Sequence, residues 1–340
     1  MKKKIYIAYT GGTIGMQASK NGYVPVSGFL EETLNKMPEF HRPEMPEFTL
    51  HEYPHLIDSS DMNPSHWQQI AEDIQANYEG YDGFIILHGT DTMSYTASAL
   101  SFMLENLEKP VIVTGSQIPL AELRSDGQVN LLNALYIAAN YPIPEVSLFF
   151  NNKLLRGNRS RKLDADGFDA FDSPNCRPLL VAGINIEVVA GKVKEAVNPK
   201  PLTVAKMQSQ PIGVITLYPG ISADVLKNTL QQPVNAMILL SYGVGNAPQN
   251  NDILTQLQSA YDKDIVIVNC TQCLRGKVNM GGYATGHALQ DVGVVSGLDM
   301  TPEAALAKLH YLLSKNGSIS DLRAKLSQNL RGELTTTEST

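Results

Sequence analysis

Cysteine is scarce in this chain: three thiols among 340 residues, at Cys176, Cys270 and Cys273. So few exclude a disulfide-held scaffold. Cys270 and Cys273 form a C-x-x-C, but neither a second pair nor neighbouring histidines complete a structural zinc set. No metal is therefore expected. A redox role is the lesser reading, beside that of two small residues at a strand end. Long apolar runs are also missing. A membrane-crossing helix needs about 18 such residues in a row, so no membrane partner is expected. Positive charge is in deficit, with 27 Lys and Arg against 34 Asp and Glu and a net charge of -7. That balance argues against a general nucleic-acid surface. The start, "MKKKIYIAYTGG", is basic like a signal peptide, but its apolar run ends at Tyr9. A signal core needs roughly 7–15 apolar residues. The segment reads as the first strand of a cytoplasmic protein.

What the chain does have is ordinary globular composition, 43% hydrophobic and 18% charged. Its length suits two domains, each with its own core. Strands are expected at Ile5–Tyr9, Phe48–Tyr53, Gly83–Leu87, Val111–Thr114 and Val146–Phe150. Runs such as "FIIL" and "VIV" are apolar on both sides, as in strands covered on both faces. Helical stretches such as "NPSHWQQIAEDIQANY" and "MSYTASALSFMLENL" alternate with them, and Asn63 and Pro64 suit a helix start. A second set follows, with strands in "IGVITLYPG", "AMILLSYGVG", "IVIVNC" and "VGVVSG". Its last helix is capped by Thr301 and stopped near Gly317. Strand and helix alternation implies parallel sheets with helices on both faces. The polar segment between the sets, with Pro199 and Pro201, is read as a linker at 191–211. It separates a domain at 1–190 from one at 212–340.

Ligands of open α/β sheets sit beyond the carboxyl ends of the strands. Two strands there end in Gly-Thr pairs, "IYIAYTGGTIGMQ" and "LHGTDTMSY". The first is no dinucleotide fingerprint, being G-G-x-x-G, and it lacks the G-K-[ST] of a Walker loop. A tight turn explains Gly11 and Gly12 equally well. A turn that exposes a hydroxyl nucleophile is the other reading. A Thr nucleophile needs a base and a stabiliser for the oxyanion. Thr90 and Asp91 offer a hydroxyl and a carboxylate on one turn, although Asp91 alone also suits a helix cap.

Together, "TGGTIG" and "HGTDTM" resemble the two signatures of bacterial-type L-asparaginases. The resemblance extends over most of the chain, through "DSSDM", "VTGSQIPLAELRSDG", "LFFNNKLLRGNRSRK" and "SYGVGNAPQ", and points to the cytoplasmic, type I branch. It implies an α/β fold of two three-layer domains. The larger N-terminal one has a flavodoxin- or Rossmann-like parallel sheet, and the smaller C-terminal one has its own parallel sheet. It implies hydrolysis of L-asparagine to L-aspartate and ammonia, without cofactor or metal. Thr13 is then the nucleophile, with Tyr23 on a mobile loop as its partner. Thr90, Asp91 and Lys162 form a second group. Asp91 holds the substrate ammonium, while Asp58, Ser59 and Ser60 bind at the carboxylate end. The backbone N–H groups of Gly12 and Thr90 face the oxyanion. By spacing alone Lys162 does not stand out from Arg156, Arg159 and Arg161; only the resemblance singles it out.

The resemblance also implies a homo-oligomer, a dimer of dimers, with Asn246 a candidate to reach a neighbouring subunit's site. The secreted branch carries a second Asn where this chain has Pro248. Some cytoplasmic relatives are cooperative, and Arg161 stands where it can alter a second asparagine site. The rival readings are a glutaminase-asparaginase, a tRNA amidotransferase subunit and a Rossmann-like sensor without chemistry. The acidic balance disfavours the amidotransferase, and the intact Thr13, Thr90 and Lys162 disfavour the sensor.

Overall fold

Five of the apolar runs become parallel strands: Lys4–Tyr9, Glu47–Glu52, Gly83–Leu87, Val111–Thr114 and Val146–Phe150. In this computed structural model they lie in the spatial order second, first, third, fourth, fifth. That is the flavodoxin-like order. The structure describes residues 2–20, 22–192, 200–231, 233–282 and 284–336. Residues 193–199 of the expected linker lie outside the described residues. The chain divides into two units, Met1–Ala205 and Lys206–Thr340. Thr203–Val204, inside the expected linker, pairs antiparallel with Leu104–Glu105 of the first unit.

The large sheet is parallel over five strands only. Lys153–Arg156, Leu180–Ala182 and Ile186–Val188 extend it antiparallel to eight. The sequence reading did not include them. The turn into the first of these is Asn151–Asn152, both at positive φ (45° and 66°). Asn tolerates that region, and two such residues make the tight turn whose twist matches a hairpin. One face of the sheet buries Ile5, Ile7, Ile85, Leu87 and Ile112 against Leu30 and Leu34 of helix Phe29–Lys36. Leu131, Leu135 and Ile137 of helix Gly127–Asn140 join that core. Side chains alternate across a strand, so Tyr6 and Phe84 point to the other face. Tyr6 there donates to Asp73 of helix Pro64–Asn77 at 3.0 Å. Trp67 of the same helix donates to Thr96 of helix Met93–Met103 at 3.0 Å. Helices thus cover both faces.

The second unit repeats the plan at smaller scale. Ile212–Thr216, Ala236–Ser241, Val266–Thr271 and Val295–Ser296 form a parallel sheet in chain order. Met237, Leu239 and Ile267 pack with Leu226, Ile253 and Leu257 from helices Ala223–Thr229 and Asn251–Asp262. The cap expected at Thr301 is present, its hydroxyl accepting from Ala304 N at 3.1 Å. Helix Pro302–Leu313 ends four residues before Gly317, with Ser314 at its C-cap.

Candidate active site

In the flavodoxin-like order, the crevice opens where the first and third strands lie side by side and their connections leave in opposite directions. Those two strands are Lys4–Tyr9 and Gly83–Leu87, aligned so that Tyr9 pairs with Leu87. Both Gly-Thr turns emerge there. Gly11 and Gly12 sit at φ 138° and 95°, where a side chain is strained. Space forbids one as well. A Cβ on Gly12 would lie 2.4 Å from Gly89 N, and one on Gly11 would lie 2.2 Å from Ile57 O. A Cβ on Gly89 would meet Ser59 Oγ at 2.5 Å. The turn carrying Thr13 therefore touches those carrying Ser59 and Thr90 backbone to backbone, Ser59 lays its side chain on Gly89, and the glycines permit it.

Thr13 opens a single helical turn, Thr13–Gly15. Its hydroxyl has no hydrogen-bond partner among the described residues. Tyr23 is separate from it. The segment after Thr13 is a hairpin, Met16–Ser19 against Gly22–Pro25, with Tyr23 opposite Ala18. Its second strand passes beside the Thr13–Gly15 turn, yet Tyr23 is half exposed and makes no hydrogen bond to Thr13. The segment expected as a mobile loop has the form of a two-stranded hairpin.

Thr90, Asp91 and Lys162 do come together. Lys162 Nζ donates to Thr90 Oγ1 at 3.0 Å and to Asp91 Oδ1 at 2.8 Å. The lysine is mostly covered, whereas Asp91 is 66% exposed. Asp91 does not cap the following helix, whose N-cap is Thr92. The neighbouring arginines are committed elsewhere. Arg156 pairs with Glu145 at 2.5 Å and Arg159 donates to Asn175 O at 2.9 Å. Strand Arg161–Lys162, held by Phe171–Asp172, brings Lys162 across to Thr90.

The Thr90 hydroxyl also donates, to Gln117 Oε1 at 3.1 Å. Sequence reasoning passed over Gln117, although it follows the fourth strand as Thr90 follows the third. Its amide donates to Gly167 O at 3.0 Å, and Asp126 holds its backbone N–H at 3.0 Å. In this arrangement Lys162 donates both of its bonds and Thr90 gives its proton to Gln117. The group is at rest: for Lys162 to serve as a base, a proton must leave it and Thr90 must turn away from Gln117.

The serine turn is divided. Asp58 caps it, accepting from Ser60 N and Ser60 Oγ, both at 2.9 Å. Ser60 is exposed and Ser59 is buried, its hydroxyl over Gly89 and its carbonyl accepting from Thr92 at 2.7 Å. Asp58 thus has a structural task in shaping this turn. Asn246 lies in the second unit, in a turn closed by Tyr242 N donating to Asn246 O at 2.9 Å. Cys270 is buried in its strand, Cys273 is exposed, and neither forms a disulfide. Among the described residues no cluster of His, Cys, Asp and Glu could hold a metal. Among them too, no helix is long and apolar enough to cross a membrane.

The chain matches two family models, "Asparaginase, N-terminal" over residues 4–194 and "Glutaminase/Asparaginase C-terminal domain" over 211–326. It is 68% identical over 339 residues to L-asparaginase 1 of Escherichia coli strain K12, covering 98% of each chain. It is 43% identical to the mouse 60 kDa lysophospholipase, spanning 98% of this chain but 63% of that protein. The crystal structure of L-asparaginase I from Vibrio cholerae superposes with a TM-score of 0.93 at 67% identity, over 99% of this chain and 100% of that one. Two glycine turns meeting at the strand switch, and likeness along the whole chain, lead to one assignment: this chain belongs to the asparaginase family.

Proposed function

We propose that the protein hydrolyses L-asparagine to L-aspartate and ammonia in the cytoplasm, with Thr13 as nucleophile. The observation that carries this reading is the backbone contact between the Gly12 and Gly89 turns. It joins an unpartnered threonine hydroxyl and a Lys162, Thr90, Asp91 cluster in one crevice.

The chemistry balances in two steps. Thr13 Oγ bonds to the side-chain carbonyl carbon of asparagine, and its proton passes to the departing nitrogen. The carbon–nitrogen bond breaks, ammonia leaves, and a β-aspartyl ester remains. Water then adds to that ester, restoring the Thr13 hydroxyl and releasing the carboxylic acid. Each addition places negative charge on the carbonyl oxygen. The N–H groups of Gly12 and Thr90 are the donors for it, and loss of one such donor typically costs about 3 kcal/mol. Lys162 and Thr90 move protons once Thr90 leaves Gln117. Asp91, exposed beside them, faces the substrate ammonium, and Ser59 and Ser60 face its α-carboxylate. Tyr23 reaches Thr13 only if the exposed hairpin closes over bound substrate, a motion that also excludes water.

The working form is a homo-oligomer, to which Asn246 contributes from the second unit. The catalytic domain corresponds to about residues 1–190 and the C-terminal domain to 212–340. The test is ammonia release from L-asparagine by the purified protein, followed by mass spectrometry of the Thr13 peptide in slowed variants. An ester on Thr13 supports the assignment. Substantial turnover by Thr13→Ala ends it.

A further inference from the structure

His88 is buried directly before the Gly89–Thr90 turn, and its proton can be located by elimination. The Trp67 indole is a donor only, and it gives its proton to Thr96 Oγ1 at 3.0 Å. Thr96 lies 2.8 Å from His88 Nε2. Trp67 takes only one of the two lone pairs of that hydroxyl, so this contact alone leaves the direction open; the other side of the ring decides it. The other ring nitrogen, Nδ1, lies 2.7 Å from the Gly89 carbonyl oxygen. A carbonyl only accepts, so Nδ1 carries the hydrogen. Burial lowers the ring's pKa to about 4, which excludes the doubly protonated ring at neutral pH.

The consequence lies one bond further on. A trans peptide is planar, so its N–H points opposite to its C=O. The carbonyl that His88 grips belongs to the same peptide as the Thr90 N–H. No acceptor for that N–H exists among the described residues. Pulling the carbonyl into the core turns the N–H outward, into the crevice. A carbonyl that accepts a hydrogen bond also polarises its own amide, making the N–H a stronger donor.

We propose that His88, as the neutral Nδ1–H tautomer, is a positioning residue for the reaction: it aims the Thr90 N–H at the oxygen that becomes negative. The proposal rests on the reading of that N–H as an oxyanion donor. His88 touches no substrate and transfers no proton.

The test compares two replacements. The Asn side-chain nitrogen falls near the place of Nδ1, whereas that of Gln falls near Nε2. His88→Asn should keep kcat within about threefold of the parent. His88→Gln should lower kcat by about tenfold, less than the 10²–10³ for deleting a donor, because the N–H is misaimed and not removed. KM should stay within about twofold in both, since the donor acts on the transition state. Nitrogen-15 NMR of the histidine-labelled parent at pH 7 should show one ring protonated at Nδ1 alone, whether or not the variants fold. An Nε2–H tautomer at His88 overturns the proposal, as do Asn and Gln variants with equal kcat. A parent protein inactive on L-asparagine sinks the functional reading itself. An active parent with a fully active His88→Gln sinks this proposal alone.

Discussion

The two units are built on one plan, yet they differ in how far the polar groups at their strand ends are spent on backbone. In the smaller unit these groups are spent on backbone carbonyls. Asn269 donates to Gly245 O at 3.0 Å, Thr271 to Gly243 O at 2.5 Å, and Gln272 to Leu217 O and Leu240 O, both at 2.8 Å. Such bonds close loops and tie these donors to the backbone. In the larger unit Thr10 and Thr114 are spent likewise, on Leu87 O and Phe149 O at 2.8 Å. But Lys162, Thr90 and Asp91 bond to one another, Thr90 gives its proton to the Gln117 side chain, and the Thr13 hydroxyl bonds to nothing among the described residues. A reacting group must be able to exchange partners, and side-chain partners can rotate away. The difference teaches that a parallel sheet supplies a place at its strand ends, and that the proposed chemistry falls to the groups there whose partners are side chains.

Two lysines break this comparison most sharply. Lys162→Met should lower kcat by about a thousandfold or more, because groups acting as a unit each carry most of the effect. Its melting temperature should barely move, since the partner Asp91 is well exposed and exposed pairs contribute little. Steady-state kinetics with a thermal melt would decide; a large loss of stability would make Lys162 a structural residue.

Lys308 should do the reverse. Its ammonium and the Glu333 carboxylate are both fully buried, 2.5 Å apart. Lys308 also donates to Leu326 O at 2.9 Å, and Glu333 accepts from Leu330 N and Arg331 N. Breaking such a pair leaves a charge buried without its counterion, at a cost of about 3–5 kcal/mol. Lys308→Met should therefore lose that much in urea unfolding, while its folded fraction keeps the parent kcat. A change under 1 kcal/mol would remove the pair from the stabilising framework.

His88 adds a pH dependence to the larger unit. Burial lowers its pKa from the ordinary 6.5 to about 4. Between these values the unfolded chain binds a proton that the native ring refuses, so stability falls as pH drops from 6.5 toward 4 and is whole above 6.5. The shift is worth on the order of 3 kcal/mol. Unfolding free energies of the parent and His88→Asn should diverge above pH 4 and run parallel above 6.5. Parallel curves throughout would show that the ring titrates alike in both states.

Much of this was legible because apolar runs and Gly-Thr pairs are local signals. Central strands such as Gly83–Leu87 and Val111–Thr114 announce themselves by being apolar on both sides, the edge strand Glu47–Glu52 by alternation, and the strand-end rule leads to Thr13 and Thr90. What was not legible depends on contacts far apart in sequence. Lys162 is chosen over Arg156 and Arg159 only because their partners, Glu145 and Asn175, lie elsewhere. Gln117 was within reach of the same strand-end rule, applied to Val111–Thr114. The strand Lys153–Arg156 escaped because its turn uses Asn-Asn in place of the usual glycine. The tautomer of His88 depends on which way its buried ring turns between Gly89 O and Thr96, and no sequence pattern reveals it.

The smallest effects should erase the contrast between the units. Each has a helix whose N-terminus is capped by a side chain and begins with proline. Asn63 accepts from Ser65 N at 3.0 Å in the larger unit, and Thr301 from Ala304 N at 3.1 Å in the smaller. Removing such a cap leaves one N–H of the first turn without its acceptor, at a cost of about 1 kcal/mol. Water can replace part of that bond at Asn63, which is exposed on a surface turn. It can do so less at Thr301, which is buried. Thr301→Ala should therefore cost slightly more than Asn63→Ala, and neither should alter kcat or KM. Equilibrium unfolding of the two variants, assayed beside the parent, would measure this. If Asn63→Ala impaired kcat while keeping its stability, helix Pro64–Asn77 would be carrying more than its own packing, and Trp67, which it presents to Thr96 and so to His88, would be the residue to follow.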